Sequence, residues 1–417
     1  MSRTFFGLAI LAGWGGCATS SPAGHSAAPL MTESVVPERS GARWYMSPPP
    51  PRAVGDADPV RRIVAAEIAH AAVAAGLSAP ERDFRLDHAA DDIARTTPED
   101  RQPSFDLVAF LLGHYGIVEP EPNLLFARGG SQAGNEIAEL LRSQVTALLG
   151  RQPHSRLGIG VSHGKELSVV LALQEHHLEL RAVPRALAAG LVAEIEGRLL
   201  HGFHSPKVIV TTPRGYVVEV RVSQAHGRFE AAFSCRRDET GAYQLEIAAE
   251  ADRGPAVLAN FPLYCGVEAP TRSPPLTLET VEAQDPARAE RELLGLINGE
   301  RTARGLSPLR LDRRLSDVAR AHSEEMAATG VVAHLSPRTG NAADRVKKAG
   351  VMPILVAENV GRAYSAGQAH RGFMTSPGHR GNVVEPRITA IGLGIVAGRT
   401  ESGMVPLFVT ELFTEGL

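Results

Sequence analysis

After residue 20 the chain has no apolar run approaching the ~18 residues that a membrane helix needs, so the mature protein is not expected to span a bilayer. It also lacks an excess of either charge: 43 basic against 46 acidic residues leave a formal net charge of −3. Phosphate binding needs clustered Lys and Arg, and no nucleic-acid partner is expected. The last third of the chain has neither HExxH nor GxSxG, and no cysteine follows Cys265, so the common signatures of zinc, serine and thiol hydrolases are missing from it. What remains is 44% hydrophobic and 21% charged residues over 417 positions, the composition of a soluble globular protein of about three domains at roughly 150 residues each.

The first 17 residues have an export layout. Arg3 supplies a short positive region, Phe5–Ala12 an apolar core, and Gly15-Gly16 small residues ahead of Cys17. The Gly-Cys junction resembles a bacterial lipoprotein cleavage site, with Cys17 acylated as the mature N-terminus and the protein held at a membrane by that lipid. Trp14 departs from the pattern, and ordinary signal cleavage is the alternative. With Cys17 used in this way, Cys235 and Cys265 remain as a pair that an oxidising compartment could bridge. Residues 18–56, rich in Ser, Ala, Gly and Pro, read as a disordered tether reaching on the order of 35 Å.

Three folded units are expected, giving an α+β fold class. In the last one, 286–415, Asp285-Pro286 starts a helix that stops at Gly305. Asp312 caps a second helix with the apolar face Leu315, Val318, Ala319, His322 and Met326, closed by Gly330. Ile388–Val396 and Val405–Phe413 read as two strands around a polar turn. Residues 57–176 echo this unit: RLDHAADDIAR (85–95) against RLDRRLSDVAR (310–320), and LGIGVSHGKELSVVLAL (157–173) against the C-terminal strand pair. Between the copies, 177–275 holds short alternating runs split by turns, suited to an antiparallel β-sandwich with Cys235 and Cys265 as a cross-sheet bridge. The Ala-rich stretch 185–199 ahead of those runs reads as helix.

In order, AHSEEMA (321–327), VAHLSP (332–337), AENVG (357–361), FMTSPGHRGN (373–382), ITAIGLGI (388–395) and FVTELF (408–413) form a series. It resembles the CAP superfamily of cysteine-rich secretory, antigen-five and pathogenesis-related proteins, and most closely its bacterial branch. The resemblance covers roughly 286–413. It implies a CAP-type α/β/α sandwich with a central cleft, and makes the N-terminal copy a degenerate CAP-like repeat, because nothing in 96–156 reproduces the site residues. By motif the cleft histidines are His334 and His379 and the cleft glutamate is Glu358. A second glutamate of many eukaryotic members falls at about Ser376, and Ala357 replaces the usual Gly.

Two imidazoles and a carboxylate are also a set that could hold Zn²⁺ with a fourth position for water. Without metal, a His–Glu pair suits proton transfer near neutral pH. His322, on the apolar helix face, is either a group behind the site or a core histidine. Arg301 and Asn298 read as structural hydrogen-bonders, and Arg380 and Asn382 as loop stabilisers. The function expected is a non-enzymatic cell-envelope module binding a lipid, glycan or peptide in the cleft, with no protein partner indicated. The alternatives are a metal-dependent hydrolase or protease using His334, Glu358 and His379, and an adhesion protein with a vestigial cleft.

Overall fold

Two helix caps start the same device twice. The Asp83 side chain accepts from the amide of Arg85 and opens the helix Phe84–Thr96, and Asp312 accepts from Arg314 and Leu315 and opens Arg313–Thr329. Each helix lies on a strand, Arg156–His163 in the first unit and Ala390–Ala397 in the second. Contact is so close that only glycine fits beneath. A Cβ on Gly158 or Gly160 would come within 2.4 or 2.1 Å of Leu86 or Ala90, and one on Gly392 or Gly394 within 2.2 or 2.1 Å of Leu315 or Arg320. The computed structural model that shows this describes residues 30–49, 58–98, 101, 103–149, 154–278, 284–399 and 405–416.

Both units carry a four-stranded sheet of one topology. In the first the order is Glu81–Arg82, Arg156–His163, Leu167–Gln174, Asn123–Gly129; in the second it is Arg310–Leu311, Ala390–Ala397, Leu407–Glu415, Leu355–Ala363. The first pair is parallel and the others antiparallel in each. The internal repeat is therefore a repeat of architecture. The strand pair expected at 388–396 and 405–413 forms about two residues further on, and the first helix runs Pro286–Thr302. Arg301, 1% exposed, donates to the carbonyls of Ser307, Val383, Glu385 and Ile388, which ties that helix to the loop before the central strand.

Between the repeats two five-stranded sheets face each other around Leu180, Ile195, Val208, Phe229, Ile247 and Phe261. Cys235 and Cys265 are joined by a disulfide. Residues 185–199 are strand, not helix: Ala186–Leu187 and Val192–Leu199 flank Gly190 at φ 92°, and the alternation of Ala193 and Ile195 with Glu194 and Glu196 has a period of two. The tether expectation is also corrected over 30–49. Leu30–Thr32 pairs with Leu276–Leu278, and Trp44–Ser47 adds the last strand to one sandwich sheet. Tyr45 is fully buried, its ring 4.7 Å from that of Phe261. A four-residue strand was hidden by the proline-rich composition around it. Residues 18–29, 50–56 and the export segment with Cys17 lie outside the described residues.

Gly160→Ala and Gly394→Ala are each expected to cost about 2–3 kcal/mol, because the new methyl group meets helix backbone that cannot yield. Thermal melting of the full chain checks this, and melting points indistinguishable from wild type would contradict the glycine seat in that unit.

Candidate functional site: a histidine–glutamate cleft under the sandwich

Glu358 occupies the middle of the edge strand Leu355–Ala363, with 8% of its surface exposed. A carboxylate so placed needs a cation and hydrogen bonds to remain ionised. The helix Ala342–Lys348, started by an Asn341–Asp344 capping box, brings Arg345 to one carboxylate oxygen. Nδ1 of His334 lies 3.0 Å from the other. Burial pushes the Glu358 carboxyl up, but the His334 hydrogen bond and the Arg345 charge outweigh it and hold the pKa below the ordinary 4.5. An ionised carboxylate only accepts, so His334 Nδ1 is the donor, and Nε2 is left as its acceptor when the ring is neutral.

Loop packing fixes His334 from both sides. Arg345 also donates to the His334 carbonyl at 3.2 Å, and the next amide, Leu335, donates to the carbonyl of Arg253 in a sandwich turn at 3.1 Å. Gly254 in that turn has φ +89°, and a Cβ there would lie 3.2 Å from His334 Cβ.

His379 comes from the short helix Pro377–Val383, whose N-cap Ser376 accepts from the His379 amide. The two imidazole centroids are 6.4 Å apart, and Phe373 meets His379 edge-on at 5.2 Å. Loss of hydration, with the neighbouring His334 adding to it, pushes the His379 pKa down to about 3, so the ring is neutral at physiological pH. Behind the pair runs a chain of amides. Asn382 donates to Asn359 Oδ1 at 2.9 Å and to the Glu358 carbonyl, while Asn359 donates to Glu411 at 2.7 Å and to the His379 carbonyl. Glu411 is fully buried, and burial pushes its pKa up to about 8 despite the Asn359 bond, so it stands protonated at neutral pH.

The three expected side chains thus converge. Two others are held by protein partners, His322 behind the site and Ser376 on the edge of a second cavity. His322 is 3% exposed, its Nε2 2.9 Å from the Ala333 carbonyl, and burial lowers its pKa; it lines neither cavity at the site and lies behind the loop that bears His334. Ser376 is 4% exposed and hydrogen-bonds Glu246 of the sandwich, so its hydroxyl is committed to a protein partner. The zinc expectation fails the same test of commitment. One Glu358 oxygen is bound to a guanidinium, and among the described residues no three His, Cys, Asp or Glu are grouped as a metal-holding set.

The sandwich faces the cleft. Together with a stretch of the first unit they line a pocket of about 980 Å³ that is open to solvent on one side, with His334, Glu358 and His379 contributed by the CAP unit and Phe203, Ile209 and Leu258 by the sandwich. A second cavity of about 590 Å³, more apolar, lies beyond His379 between Phe105, Phe110, Tyr264 and Phe373. Sequence reasoning missed Arg345, Asn359, Glu411 and Glu246. Asn359 and Glu411 stand inside AENVG and FVTELF, so their motifs were legible even though their roles were not. Nothing in the sequence marks Glu246, which belongs to another unit.

Residues 294–413 match the cysteine-rich secretory protein family, CAP. The C-terminal unit is a CAP domain. It is 35% identical over 117 residues to the uncharacterized protein YkwD of Bacillus subtilis, which spans 28% of this chain and 44% of that one. It is 32% identical over 108 residues to the uncharacterized membrane protein YlbC of the same organism, covering 26% and 31%. The chain therefore spans less than half the length of these curated relatives. Among solved structures, an extracellular SCP-domain protein of Bacillus anthracis aligns at 15% identity over 73% of this chain and 91% of that one, with a TM-score of 0.29. An outer surface protein of Borrelia burgdorferi aligns at 16% over 32% and 98%, with a TM-score of 0.28. The first unit has the CAP topology without the CAP site. Matching Gly158 to Gly392 through the strand registers sets Leu124 in the place of Glu358, Leu125 in that of Asn359 and Leu171 in that of Glu411.

Arg345→Met is expected to cost about 3–5 kcal/mol at pH 7, since it strands a buried carboxylate. Because the folded pKa of Glu358 lies below 4.5, the wild-type contribution is complete above pH 4.5 and lost as the pH falls through the folded value. Melting curves from pH 3 to 7 should show wild type and variant converging only at the acid end; equal stability at pH 7 would contradict the ion pair.

Proposed function

We propose that this chain is an exported cell-envelope protein that binds, without chemical turnover, an uncharged amphiphilic molecule of lipid type in the cavity between its CAP domain and its sandwich. The observation that carries this is the cavity itself. At about 980 Å³ it stands at the top of the range that small-molecule pockets occupy, and it sets a hydrogen-bonding wall against an apolar one.

Charge selects within that class. On the wall formed by the CAP domain His379 is neutral and the Glu358 charge is already answered by Arg345, so a charged head group finds no uncompensated partner on that wall, while Lys207 and Glu250 stand on the sandwich side. A hydroxyl or ester group can accept from or donate to the imidazoles, while an apolar body lies along Phe203, Ile209 and Leu258. Catalysis is less well supported: among the described residues of the cleft no nucleophile is aligned with a base, and the Glu358 carboxylate is tied on both oxygens. The export layout and the lipidation expected at Cys17 support an envelope location, to which the description of one curated relative as a membrane protein is consistent.

Full-length protein titrated with dioleoylglycerol and with oleate tests the proposal, binding being read by native mass spectrometry. Dioleoylglycerol is expected to bind with at least about tenfold preference, and Ile209→Glu, which sets a charge in the apolar wall, to abolish binding while the fold is retained. No binding of dioleoylglycerol, or binding unaffected by Ile209→Glu, would overturn it.

A further inference from the structure

A carboxyl group of the sandwich is buried at its seam with the CAP domain, beside the cleft. Glu246 lies on the sandwich strand Gly241–Ala251, is 1% exposed, and faces the CAP domain. It accepts from the hydroxyl of Ser376 and, at 3.2 Å, from the amide of Gly378. These residues flank Pro377 at the start of the helix that bears His379. Gly378 allows the approach: a Cβ there would stand 2.6 Å from Glu246 Oε1 and push the carboxyl aside. The same carboxyl lines the large cavity along with His334, Glu358 and His379. Elsewhere the seam is held more thinly, by Asn260 donating to the Thr375 carbonyl at 3.5 Å and Leu335 to Arg253.

We infer that Glu246 is a positioning residue of the cleft, a clasp by which the sandwich holds the loop 376–379 and sets His379 in place. The cleft is then a composite of two units, and the CAP domain without its sandwich would present a different His379. This deepens the binding proposal by naming what holds one wall of the pocket, yet it concerns the protein alone and can be tested with no ligand present.

The clasp should respond to pH. Burial pushes the Glu246 pKa up to about 7, against the lowering effect of the Ser376 and Gly378 hydrogen bonds. Charged and titratable side chains on the surrounding elements are His204, Lys207, Glu219 and Glu250 on the sheet, and His370, Arg371, His379 and Arg380 on the CAP helices. None of them is ion-paired with Glu246 among the described contacts, so an ionised Glu246 would be a buried charge without a counter-ion. A carboxyl whose closed-state pKa is raised stabilises closure fully below its free pKa near 4.5, and that contribution is lost as the pH rises through about 7.

Amide hydrogen exchange of the ligand-free full chain, followed by mass spectrometry over peptides spanning 376–384 and 243–249 and corrected for intrinsic rates, tests this between pH 4.5 and 8. In wild type, exchange of 376–384 is expected to rise about tenfold or more from pH 4.5 to 8, with 243–249 unchanged. Glu246→Ala should show the fast rate at every pH. Glu246→Gln, which keeps the acceptor without the ionisation, should remain protected and lose the pH dependence. Ser376→Ala, which removes half of the clasp from the CAP side, should give an intermediate rate and decides the matter if Glu246→Ala fails to fold. Exchange of 376–384 within about twofold of wild type in Glu246→Ala, or in Ser376→Ala where that variant decides, would overturn the inference. So would Glu246→Gln behaving as Glu246→Ala does.

Discussion

A carboxylate removed from water has to be answered by charge and hydrogen bonds, and the burial of Glu358 organises the cleft through that demand. It fixes Arg345, and Arg345 in turn fixes the loop that carries His334. It sets the His334 tautomer. Through its own backbone carbonyl and the neighbouring Asn359 it reaches Asn382 and the His379 helix. No member of this set is independent of the others. An apolar residue at the position would need none of them, which is what the first unit shows: Leu124 replaces Glu358, and its neighbours on the strands are leucines as well.

The two CAP-like units divide labour in a way the chain order does not suggest. Both retain the scaffold of a capped helix seated on paired glycines, because that seat is a packing requirement of the sheet. Only one retains the site. The other contributes walls: its edge strand faces that of the CAP domain, with Arg362 donating to Asn123 at 2.6 Å. The sandwich lines another side, so the cleft of the CAP domain becomes part of a deeper pocket shared by the units.

How much of this was legible depended on how local the signal was. Asp312, Gly330 and the apolar runs 388–396 and 405–413 are short-range signals, and the helix and strand assignments that rest on them hold to within about two residues. His334, Glu358 and His379 were found by motif and do converge. The failures share a cause. Trp44–Ser47 becomes a strand only because a sheet distant in sequence offers it an edge, and composition averaged over a proline-rich stretch cannot report that. Residues 185–199 carried both alanine content and a period-two pattern, and the pattern was the better guide. Glu246 and Arg345 act through tertiary contacts alone, and the bond of Ser376 to a carboxyl group 130 residues away was not visible in its motif.

The central claim is that the surroundings of His379 in the cleft hold its ring neutral. An NMR titration of the His379 ring in the full-length protein tests this most directly. The account predicts no protonation of that ring between pH 4 and 8, in keeping with a pKa of about 3. A His379 that titrates near 6.5, as an imidazole in contact with bulk water does, would contradict it.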